Sequence, residues 1–263
     1  MLQVFGLPTA VADRVRWMGQ YHSRFSDLPT SLAAELLRPW DRPPVSETPA
    51  RIWVLLGRAS VGLRRRSAAV AGLVAQASVL ATRAEPSAQV ELALVQAFCW
   101  ARSDAAGCSR ALAEAERLLC DDGAQMDSAD RVNLHARWVD QVAYPLNRPG
   151  AGARDHTAAA DLYRSIPAEG PLFAQCRRAN GLGWSLLKLG DRAGAEVEAR
   201  RSVAAAGDLG SLRLRAMALN LLGAATDGEV SAAAKARAQG IAARLEDEAL
   251  RLRFDPQRRR QSM

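Results

Sequence analysis

From Thr9 to Phe25 apolar residues return every three or four positions, with Val11, Val15, Met18 and Tyr21 or His22 near one stripe, so the spacing predicts a helix that Thr9 can cap. A shorter helix is predicted from Ser31 to Arg38. Pro39, Pro43, Pro44 and Pro49 then interrupt the pattern, because proline lacks an amide donor and its ring clashes with the preceding helical turn. The prolines mark a boundary between an N-terminal helical element with its linker, residues 1–47, and a main region over 48–254. Residues 255–263 read as a disordered basic tail.

Within 48–254 the apolar positions fall into paired helical runs. Thr48 stands where a cap is needed, Pro49 suits a first turn, and one run extends to Leu63; a turn at Arg64–Ser67 precedes the returning run to Ala84. The second pair is Pro86–Ala101 and Ser109–Leu119, with a turn over Ser103–Gly107. The third is Ser128–Tyr144 and His156–Ile166, around a long loop. The fourth spans Ala179–Gly207: Leu182, Leu186 and Leu189 recur at helical spacing, then Ala195, Val197 and Ala199 resume after Gly190-Asp191. The fifth is Leu212–Ala225 followed by Val230 to about Leu252, stopped by Phe254, Asp255 and Pro256.

The pairs share more than length. Leu56-Gly57, Leu182-Gly183 and Leu222-Gly223 recur in their first helices, and the last two extend backwards to Asn180-Gly-Leu-Gly and Asn220-Leu-Leu-Gly. In the returning helices Ala69/Leu73, Ala111/Ala115/Leu118, Ala159/Tyr163/Ile166 and Ala195/Ala199/Ser202 keep one spacing. Gly183 leaves no side chain where Ala195 of the returning helix would cross, so the two can pack tightly and antiparallel. Self-similarity at several tens of residues is the mark of a helical solenoid.

On these residues the chain resembles a tetratricopeptide repeat (TPR) protein. The fourth pair carries Leu182, Gly183, Gly190-Asp191 and Ala195 in the family's order, with Ala199 in place of the usual aromatic; the third pair has that aromatic, Tyr163. Leu182 and Leu222 are 40 positions apart, against a usual repeat of about 34. The resemblance implies an all-α, right-handed α-solenoid of about five antiparallel hairpins. Its first helices would line a concave groove displaying Arg51 and Arg58, then Arg177, Asn180, Trp184 and Lys188, then Asn220. Asparagine both donates to and accepts from a peptide backbone, arginine holds a carboxylate through two hydrogen bonds, and tryptophan offers a broad apolar anchor. Asn180 and Asn220 can instead cap or bridge neighbouring helices, and Trp184 can instead fill the core between repeats.

Composition agrees with helices: the 263 residues include 52 alanines and only 5% aromatics. The formal charge of +7 and pI near 9.9 favour an anionic partner. Against that, 28 carboxylates are interspersed, and Lys188 and Lys235 are the only lysines, an arginine skew that a GC-rich genome also produces. Arg64-Arg65-Arg66 and Arg258-Arg259-Arg260 are the densest basic clusters, and neither is interleaved with aromatics that would stack on bases.

Catalytic patterns are missing from the sequence. His22, His135 and His156 fall in no ligand spacing, and Cys99, Cys108, Cys120 and Cys176 form no C-x-x-C pair. Cys99 reads as a small buried core residue. Gly181, Gly183 and Gly190 lie inside or just past a helical run, with no preceding strand and no G-K-[ST], so they form no phosphate loop. Asp121, Asp122, Asp127 and Asp130 are read as caps and first-turn charges. The sequence thus points to a cytoplasmic, non-enzymatic scaffold or adaptor, without cofactor or metal, that takes a protein or peptide in its groove. The alternative is a regulatory module contacting nucleic acid through arginine-rich surfaces. No segment reaches the roughly 18 apolar residues of a membrane span.

Overall fold

The computed structural model describes residues 10–24, 27–101, 103–121, 123, 125–148 and 155–254. Among these residues the chain forms thirteen α-helices joined by turns and short 3₁₀ segments, with no strand. The Thr9 cap, the side chains of Tyr21 and His22, and the tail with Arg258–Arg260 lie outside the described residues. No described helix is long and apolar enough to cross a membrane. The helices divide into two compact units, one of residues 1–114 with 245–263 and one of residues 115–244. The proline-rich stretch lies inside the first unit.

In the first unit the elements are α1 (Val11–Arg24), α2 (Thr30–Leu37), α3 (Arg51–Arg64), α4 (Val70–Leu80), α5 (Pro86–Trp100), the start of α6 (Ala105–Cys120) and, from the far end of the chain, α13 (Glu248–Phe254). Ile52 to Leu56 are consecutive apolar residues that point to every side of α3, and all five are at most 1% exposed. Helices α1, α2, α4, α5 and α13 pack against α3. Trp53 donates its indole N–H to Glu85 Oε1 at 2.6 Å, which satisfies the polar edge of a side chain only 1% exposed.

The second unit holds the end of α6, then α7 (Ser128–Leu146), α8 (His156–Arg164), α9 (Leu172–Lys188), α10 (Arg192–Asp208), α11 (Leu212–Ala225) and α12 (Gly228–Arg244). Each helix packs on the next from α7 onward, and α9 also packs on α7 and on α11. Alanines carry much of the core: Ala136, Ala143, Ala159, Ala160, Ala195 and Ala199 are fully buried. Asp127, Asp155, Asp191 and Ser211 accept hydrogen bonds from amides in the first turns of α7, α8, α10 and α11, which explains where these four helices begin.

Several boundaries differ from the sequence expectation. Thr48 does not cap α3: its hydroxyl donates back to Val45 O at 2.9 Å, and the helix starts after Ala50 without a side-chain cap. Helix α6 begins at Ala105, inside the expected turn, because Asp104 Oδ1 accepts from Gly107 N at 2.8 Å and caps a turn earlier. The last predicted run is two helices. Glu246 takes a left-handed φ of 52°, and Asp247 then caps α13 through Leu250 N at 2.8 Å. Val197 and Leu189, read as apolar stripe residues, are 50% and 47% exposed. Ala69 is exposed at the N-cap of α4, and Cys99 is half-buried at the edge of the first core.

The three Leu-Gly pairs do different work. A Cβ on Gly183 would stand 3.4 Å from Ala195 O of α10 and 2.6 Å from Leu221 of α11; one on Gly223 would stand 3.1 Å from Ser231 O of α12. Both therefore admit the close approach of the next helix. Gly57 instead faces Gly19 of α1 and Leu37 of α2, so it serves a crossing with the N-terminal helices and not with its own returning helix.

Candidate functional site

Of the residues expected to line a groove, Arg51 and Arg58 belong to the first unit and the other five to the second. Arg51 and Arg58 are two turns apart on α3 and are both half-buried. Both donate to one carboxylate: Arg51 Nε reaches Asp41 Oδ1 at 2.8 Å, and Arg58 Nη1 pairs with Asp41 Oδ2. The Asp41 side chain is 13% exposed. Sequence reasoning overlooked this aspartate because it sits among prolines in what looked like a linker.

Arg177 has the same kind of partner. Its Nη2 pairs with Asp140 Oδ2 on α7, and its Nη1 lies 3.8 Å from Met217 Sδ on α11, so one guanidinium spans three neighbouring helices. Tyr163 of α8 donates its hydroxyl to Asp140 Oδ1 at 3.1 Å. The Arg177 and Asp140 side chains are 13% and 26% exposed, dry enough for the charges to matter to each other. The three arginines expected to clamp a partner's carboxylate thus already clamp the chain's own.

Asn180 is 8% exposed. It shares its helix face with Cys176 and Gly183, one turn to either side, and both of those meet α10. Cys176 Sγ lies 3.4 Å from Ser202 Oγ; burial pushes this thiol up to about 11, while the Ser202 hydrogen bond pulls the other way. The antiparallel register that sets Cys176 beside Ser202 and Gly183 beside Ala195 places Glu198 opposite Asn180. Asn180 Nδ2 and Glu198 Oε2 are both buried without a hydrogen-bond partner. Asn180 accordingly faces the seam between α9 and α10 more than a groove.

Trp184 and Asn220 are half-buried, and Lys188 is exposed. By helical spacing Arg177, Trp184 and Lys188 run down one stripe of α9. A second polar set ties the end of α7 and the start of α8 to α9: Asn147 Nδ2 donates to Ser185 Oγ at 2.8 Å, His156 Nδ1 lies 3.1 Å from Asn147 Oδ1, and Ser185 Oγ donates to Gly181 O at 3.1 Å. His135 stacks on Trp138 with ring centroids 5.8 Å apart, and burial lowers its pKa.

No described group of three His, Cys, Asp or Glu side chains is gathered to hold a metal ion. The basic cluster Arg64–Arg66 is divided: Arg64 is 4% exposed with Nε directed at Ser60 O, Arg65 is exposed, and Arg66 pairs with Glu248 at 3.9 Å. No protein-family model, curated protein or solved structure matches the chain.

Proposed function

We propose that the chain is a non-enzymatic protein- or peptide-binding module, and that the hairpins of its second unit stack as a TPR-like right-handed solenoid. The observation that carries this reading is the packing of α9 directly on both α7 and α11, which brings Asp140, Arg177 and Met217 into one row across three first helices. Side-by-side first helices expose a continuous wall to a partner. On that wall Trp184 supplies apolar area, Lys188 an open cation and Asn220 an amide, while Arg177 holds the helices in line.

The test is capture of a partner from the source cell by the intact protein and by Trp184→Ala/Lys188→Ala. The reading requires that the variant lose the same partner while keeping its melting temperature within a few degrees. Retention of the partner would remove these residues from the binding face. A complex held by phosphate contacts would instead weaken steeply as salt rises, and that outcome would favour nucleic acid over a peptide.

A further inference from the structure

Two described non-glycine residues adopt a left-handed φ, Arg66 at 53° and Glu246 at 52°. Both lie in the first unit, and both are tied to another segment. Glu246 Oε2 accepts from Ser31 Oγ at 2.9 Å and lies 3.4 Å from Ser31 N, across 215 residues of sequence. Arg66 Nη1 lies 3.9 Å from Glu248 Oε1. Helix α2 follows Pro29 and has no side-chain cap of its own, so the Glu246 carboxylate does for it what a local serine or aspartate does elsewhere. Next to these polar contacts Leu245 and Leu250 are 1% and 0% exposed, and α13 packs on α3.

We propose that α13 and its connection Leu245–Asp247 form a releasable strap, latched to the first turn of α2 by Glu246, that opens together with that turn before the rest of the first unit. The forces on it are unequal. A helix of 7 residues has almost no stability of its own. The Arg66–Glu248 pair is half-exposed and contributes little. The left-handed conformation at Glu246 costs free energy that glycine would not incur. What holds the strap is the burial of Leu245 and Leu250 together with the cap on α2. An open cleft of about 400 Å³, bordered by Thr30, Arg65, Glu246 and Arg251, lets water reach the polar side of the latch. Opening would free the Ser31 amide in the first turn of α2 and uncover part of α3, a conformational device placed where the chain enters α13.

Hydrogen exchange on the full-length protein tests this. In the wild type, α13 and the first turn of α2 should exchange at a common rate, faster than α3. Glu246→Ala should speed both together by roughly 2- to 30-fold, the range that loss of a helix cap produces, with α3 and α9 unchanged. Glu246→Gly removes the same carboxylate but relieves the backbone, so α13 should exchange several-fold more slowly than in Glu246→Ala. Ser31→Ala should reproduce the acceleration in α13. The proposal fails if Glu246→Ala moves α13 without α2, if it accelerates α3 or α9 equally, or if the glycine and alanine variants coincide.

Discussion

Gly181 shows how much of the second unit is decided by single atoms. A Cβ there would overlap the Tyr163 ring, whose hydroxyl is fixed by Asp140, so the ring has nowhere to go. Gly181→Ala should cost about 1–3 kcal/mol by overpacking, and Gly181→Ala combined with Tyr163→Leu should recover part of it, both measured by urea denaturation. His135 makes a prediction with a definite sign. Burial lowers its pKa from the ordinary 6.5, so the folded state holds this proton less tightly than the unfolded chain. Its contribution is therefore complete above about pH 6.5 and is lost as pH falls from there towards the folded value. Melting curves should show a loss between pH 7.5 and 5.5 that shrinks in His135→Gln; an unchanged loss would assign it to other groups. Among the cysteines, buried Cys176 should resist a thiol reagent until the protein unfolds, whereas exposed Cys120 should label at once, as mass spectrometry can follow. At this scale the sequence was a partial guide. Gly183 beside Ala195 was legible because the two are only a dozen positions apart, on successive helices. The Gly57 contact with Gly19 was not, since the partner comes from another run of the chain.

For the helices, local pattern carried most of what was found. The helices were readable because apolar spacing and Asp or Ser caps act within a few residues, and Asp191 and Ser211 begin α10 and α11 where such residues should. The errors came where a side chain redirected the backbone: Asp104 started α6 early, and Glu246 with Asp247 cut the last run in two. The candidate site was less legible, because Arg177 and Arg51 were chosen for what they could bind, and their own carboxylates, Asp140 and Asp41, lie 37 and 10 residues away. That arrangement predicts energetic coupling between helices. Asp140→Ala should destabilise the second unit by about 2–3 kcal/mol, since it leaves a nearly buried guanidinium without its carboxylate. Adding Arg177→Met should cost less than the two single changes summed, which a double-mutant cycle would measure. Strict additivity would mean that the pair contributes nothing beyond packing.

At the scale of the whole molecule, the division into units depends on contacts that no periodicity records. The first unit gathers residues from both ends of the chain, and the second is one continuous stretch. Removing residues 245–263 should therefore leave exchange in α7–α12 unchanged while weakening α2 and α3, because Leu245 and Leu250 leave the first core and Ser31 loses Glu246. This also bears on how the protein is made. In order of synthesis α1 to α5 precede the whole inserted unit, and α13, which packs on α3, follows it. The first unit is thus completed only after the second has been made, so a released chain that stops just short of Leu245 would carry every residue of the second unit and an unfinished first one.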